Sequence, residues 1–180
     1  MQEFSGCSTG LKTISRSCLL SVVFLIFLLV GCGGGSNPPS HSVNDVVTVN
    51  EQASCEALVQ DSCRAGFGFA IDSQGNFTAG PSPTGKVVQG KITTDELASL
   101  KSTLSAVLAS SGSGMTCTSV VTIPGIGQTT KAAFTDSTQA NLVTLQSNQL
   151  CFLGDTTNGQ AFENIFQQLL IKYYPMPFPS

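Results

Sequence analysis

Twice along this chain, a set of alternating, strand-like stretches gives way to a single apolar stripe at helical spacing. The first stripe is Leu97, Leu100, Leu104, Val107 and Leu108; the second is Phe162, Ile165, Phe166, Leu169, Leu170 and Tyr173. Intervals of three and four put each set on one side of a helix, a face that must be covered by something else. Thr93 can cap the first helix with Glu96 three positions on, and Asp95 adds negative charge to its first turn. Ser110-Ser111-Gly112-Ser113-Gly114 ends it. The second helix is expected over residues 159–174, with Pro175 as its stop and a tail in which Phe178 packs back on the body.

The strands come in sets of three. Residues 66–72 alternate small and large, so Phe67, Phe69 and Ile71 share a face; Ser73-Gln74-Gly75-Asn76 is turn chemistry, and residues 77–80 return. Residues 86–92 follow a loop at 81–85. In the second half, residues 117–123, 129–134 and 149–153 read as strands, with turns at Pro124-Gly125 and Ile126-Gly127-Gln128 and a loop at 136–139. Val46, Val47 and Val49 could begin a further strand, whereas residues 53–59 suit a short helix better. The order is close to βββα–βββα. It predicts an α+β fold: an antiparallel sheet with amphipathic helices packed on one face, in two ββ(β)α halves and stapled by disulfides.

The N-terminus has another character. Lys12 and Arg16 precede residues 19–30, twelve residues among which only Ser21 is polar. A helix of about 12 residues rises about 18 Å, short of the ~30 Å hydrocarbon core, so a secretory signal is favoured over a membrane span. The run closes on Leu29-Val30-Gly31-Cys32, which resembles the lipobox of bacterial lipoproteins. That resemblance implies cleavage before Cys32, a thioether-linked diacylglycerol on its sulfur and acylation of its new amino group. Each acyl chain contributes about 0.8 kcal/mol per buried methylene, so two or three anchor firmly. Gly33 rather than aspartate at the next position favours, by the same resemblance, the outer membrane. The expected organisation is a signal peptide over 1–31, a lipidated flexible tether over 32–44 and a single α+β domain over 45–180. The tether sequence GGGSNPPSHS has no apolar residue, and His41 within it reads as a solvated linker side chain.

Four cysteines remain beyond Cys32: Cys55, Cys63, Cys117 and Cys151. An even four in an oxidising compartment reads as two disulfides with three possible pairings. Cys55–Cys63 and Cys117–Cys151 are favoured, the latter because the strands carrying those cysteines could be neighbours in one antiparallel sheet. A metal site is disfavoured by the lack of CxxC spacing and by His41 being the sole histidine.

Composition narrows the function. Residues 1–31 contain Lys12, Arg16 and Glu3; taking these from 8 basic and 11 acidic residues leaves a net charge of about −4 and no basic run. Nucleic acid is therefore not an expected partner. A Ser-His-Asp or Cys-His arrangement lacks its base, and no Gly-rich phosphate loop precedes a helix. The acids Asp72, Asp95, Glu96, Asp136, Asp155 and Glu163 each read as turn, cap or helix-surface residues, Asp72 as an acceptor of backbone N–H groups in its turn. No catalytic residue, cofactor or metal is expected. The expectation is a non-catalytic envelope lipoprotein, held to the membrane by lipid and binding a protein partner or stabilising an assembly. Two alternatives remain. One is an inhibitor-like module using the Phe-rich hairpin or the loop at 124–128; the other is a binder of a small apolar ligand between sheet and helices.

Overall fold

The computed structural model describes residues 40–55, 66–81, 85–120, 126–146 and 148–174. They form an α+β fold of eight strands and two α-helices. The strands are β1 (Val46–Cys55), β2 (Gly68–Asp72), β3 (Asn76–Gly80), β4 (Val88–Lys91), β5 (Met115–Ser119), β6 (Ile126–Phe134), β7 (Gln139–Gln146) and β8 (Gln149–Leu153). The helices are α1 (Thr94–Ser110), after β4, and α2 (Thr156–Tyr173), after β8. Every strand pair is antiparallel, and the sheet order is β4-β3-β2-β1-β6-β7-β8-β5. The two halves meet along the long pairing of β1 with β6, which runs from Val46 opposite Phe134 to Cys55 opposite Ile126.

One face of the sheet is apolar and the other polar, as the period of two dictates. Phe67, Phe69, Ile71, Phe77, Ala79, Ala132, Val143 and Phe152 are all buried on the face that both helices cover. The predicted stripes fill that layer: Leu100, Leu104, Val107 and Leu108 from α1, and Phe162, Phe166, Leu169 and Leu170 from α2. Phe69 meets Phe166 with ring centroids 5.2 Å apart, and Phe77 meets Tyr173 at 4.9 Å, a separation at which aromatic pairs attract beyond their buried area. The open face carries Thr48, Asn50, Gln52, Thr78, Gln89, Thr129 and Lys131, none of them buried.

Helix ends follow the sequence closely. Thr93 Oγ1 accepts from the backbone N–H of Glu96, and the Glu96 carboxylate accepts from the Thr93 N–H at 2.8 Å: the expected capping box. Asp155 caps α2 by accepting the Asn158 N–H at 2.8 Å, so that helix starts three residues earlier than its apolar pattern predicts.

Four expectations are corrected. Residues 53–55 continue β1 rather than begin a helix, because they pair with Gln128, Gly127 and Ile126. Ile126-Gly127-Gln128 is correspondingly strand, not turn. Each half contributes four strands rather than three, since β1 and β7 join the sheet. His41 is not a solvated linker residue: its ring stacks on Phe134 at 3.8 Å, and its Nε2 lies 3.0 Å from Thr138 Oγ1. Just beyond it, the Ser42 N–H and Oγ both donate to Asp45 Oδ2, closing a short turn into β1. The expected lipidation residue Cys32, the expected Cys55 partner Cys63, Pro124-Gly125 and Phe178 lie outside the described residues.

Candidate functional site

Cys117 and Cys151 stand directly opposite each other in the β5–β8 pairing, and their sulfurs are bonded. The favoured pairing of these two cysteines is therefore present, and it ties the edge strand β5 to β8.

The acids sort by environment. Asp72 accepts backbone N–H bonds from Gln74 and Asn76, each at 2.9 Å, and thereby builds the β2–β3 turn as expected. Asp136 accepts from the N–H and Oγ1 of Thr138, which holds its carboxyl below the usual range. Glu96 does more than cap α1. Lys172 Nζ donates to its Oε1 at 2.6 Å and Tyr173 Oη to its Oε2 at 2.6 Å, so one carboxylate ties the start of α1 to the end of α2. Those two side chains, with the Thr93 bonds, pull the Glu96 pKa down to about 2.

Glu163 departs from its reading as a helix-surface residue. It faces the sheet from α2 and belongs to a polar cluster inside the apolar layer. Gln167 Nε2 donates to Glu163 Oε1 at 2.9 Å and to Glu51 Oε2 at 2.7 Å, so one amide joins two carboxylates. Gln128 Nε2 reaches the same Oε1 from β6 at 3.3 Å. Burial is the main cause that lifts the Glu163 pKa to about 7; the Gln167 bond opposes it and the nearby charge of Glu51 adds to it. Glu163 Oε2 and the fully buried Thr130 Oγ1 have no hydrogen-bond partner among the described residues. Glu51 is 4% exposed and stands opposite Thr130 on the helix-covered face.

The sequence does not single out Glu51, Thr130 or Gln167, and it places Gln128 only in a turn and an exposed loop. The signal was there for Glu51: in Val49-Glu51-Ala53 it keeps the phase of the buried positions of a strand. A carboxyl group whose pKa is raised to about 7, as that of Glu163 is, is chemistry that could serve acid–base work. The cluster instead packs between β1, β6 and α2, with Glu51 and Thr130 buried and Gln128, Glu163 and Gln167 half-buried, and neither of the two cavities described next is lined by Glu51 or Glu163.

Between sheet and helices lies a cavity of about 20 Å³, walled by Val43, Val46, Val49, Ile71, Leu100 and Leu104. That is room for about one water. On the open face, a broader depression of about 500 Å³ is bounded by Gln52, Ser54, Gly68, Gly80, Thr129 and Lys131. Its walls offer hydroxyl and amide groups and a single ammonium. Among the described residues, no three His, Cys, Asp or Glu side chains are grouped to hold a metal ion, and no helix is long and apolar enough to cross a membrane.

No family model matches the chain, and comparison with curated proteins and with solved structures finds no significant match.

Proposed function

We propose that this chain is a non-catalytic lipoprotein of the bacterial cell envelope, acting as a protein-binding or structural module on a lipidated tether. The observation that carries the reading is the lipobox Leu29-Val30-Gly31-Cys32 closing its apolar run. Lipid on Cys32 holds the protein at the membrane, with Gly33 favouring the outer one. The domain supports the role in two ways. Its paired carboxylates, Glu51 buried and Glu163 half-buried, lie between sheet and helix and line neither described cavity, and its open sheet face is mostly uncharged polar side chains, with Asp72, Lys91 and Lys131 among them.

The inhibitor-like alternative needs protruding apolar loops. Phe67, Phe69 and Phe77 are instead buried under the helices, and the β2–β3 turn they flank is short and polar. The buried hairpin favours the structural or protein-binding role; of the other surface this alternative names, the loop at 124–128, Pro124 and Gly125 lie outside the described residues.

The test is Cys32→Ala followed by membrane fractionation and crosslinking pull-down of the tagged chain. The wild type is expected in the membrane fraction with an envelope protein attached, and the variant in the soluble fraction. A variant that stays with the membrane as the wild type does would sink the anchor. Recovery of one hydrolase in equal amount, inhibited by the purified protein, would replace the structural reading with the inhibitor.

A further inference from the structure

We propose that the free edge of β5 is a homotypic docking surface, at which two copies of this chain pair β5 with β5 about a twofold axis and join their sheets into one. The inference goes beyond the protein-binding reading and stands whether or not Cys32 is lipidated.

An unpaired strand edge is a row of backbone donors and acceptors, and natural sheets guard such edges with charge, proline, brevity or a covering element. The two edges of this sheet are treated differently. At β4, four residues long, Lys91 closes the strand and Lys86 precedes it. At β5, residues 110–120 read SSGSGMTCTSV, with neither a charge nor a proline. Among the described residues no element covers it either. The helices pack on β7 and β8, and β5 projects past them, with four of its five residues exposed and Met115 at 40%.

This edge is also rigid. Pairing with β8 from Met115 opposite Leu153 to Ser119 opposite Gln149, together with the Cys117–Cys151 bond, fixes the strand before any partner arrives. Little conformational freedom is left to lose on docking. A foreign extended peptide would be selected by side-chain pockets beside the edge. Here both described cavities are lined by other residues. A second copy needs no pockets, because an antiparallel edge is complementary to itself. With no charge on the strand, the two copies meet without like-charge repulsion. An axis through Cys117 sets Thr116 of each copy against Thr118 of the other, a pairing suited to adjacent strands.

The test places a photo-crosslinking amino acid at Thr116 in the full chain expressed in bacteria, with Gln89 on β4 as the control position. A crosslinked species of twice the chain mass is expected from position 116 only, mapping to residues 115–119 of the second copy. Thr118→Lys should cut its yield at least tenfold. Non-reducing mass mapping of Cys117–Cys151 verifies that the variant has folded, and Ser119→Lys replaces it if that bond is lost. Absence of the dimer, a crosslink to another protein, a crosslink elsewhere on the chain, or undiminished yield in the folded lysine variant each overturns the proposal.

Discussion

Glu163 has one carboxylate oxygen held by two amides and another, buried, that none of the described residues holds. Its pKa rises from 4.5 in the ordinary state to about 7 in the fold, so the folded protein binds the proton more tightly than the unfolded chain does. The stability this proton provides is complete below about pH 4.5 and is lost as pH rises through 7. At 1.36 kcal/mol per unit the loss is about 3 kcal/mol. Glu163→Gln keeps the shape and removes the titration; its melting temperature is expected to stay level between pH 5 and 8 while that of the wild type falls. Thermal melts by circular dichroism across that range check this. Glu96 runs the other way: its lowered pKa gives stability present above about pH 4.5 and lost as pH falls toward 2. At this scale the sequence was partly legible. The cap and turn roles of Glu96 and Asp72 follow from local spacing, which is where their hydrogen bonds are. The Glu51–Gln167–Glu163 cluster joins residues more than a hundred positions apart, and no local rule reaches that far.

Elements were legible where the pattern was clean. The Phe67-Phe69-Ile71 hairpin and both apolar stripes have unbroken periods. By contrast β7 was hidden by its own geometry. Leu142 and Val143 are consecutive and both buried, because the register of β6 with β7 shifts between Thr130 and Lys131 and the extra residue breaks the alternation. β1 was masked in a different way, by a glutamate at a buried position and by a run at 53–59 that on its sequence suits a short helix better. Packing of α2 on β8 supplies a sharp test. Gly159 lies against Phe152, so closely that an added Cβ would overlap the phenylalanine Cβ. Alanine normally gains about 1 kcal/mol over glycine within a helix. Gly159→Ala is expected to reverse that sign and lose about 1–3 kcal/mol through overpacking, measured as a lower denaturant midpoint with unchanged slope.

For the whole molecule, the controlling fact is that the halves are not independent. The Cys117–Cys151 bond spans 34 residues of sequence and encloses β6 and β7, so it restrains the strand that forms the seam with β1. On the chain-entropy account, closing such a loop is worth about 3–4 kcal/mol. The Cys117→Ser, Cys151→Ser double variant is expected to lose about that much and still fold, with chemical denaturation as the measurement. Fold class was legible at this scale because two amphipathic helices and several alternating strands leave few ways to cover a sheet. Strand order was not, since it depends on which edges meet.

The place of β1 has a mechanical consequence. The chain enters the fold at Val46, through a turn fastened by Ser42 and by His41 against Phe134, and passes at once into a strand bonded on both sides. A pull on the N-terminus along the strand cannot peel away one hydrogen bond at a time. It must slide β1 against β2 and β6 together, loading both ladders in shear, so the strand through which the chain enters the fold resists such a pull along its whole length.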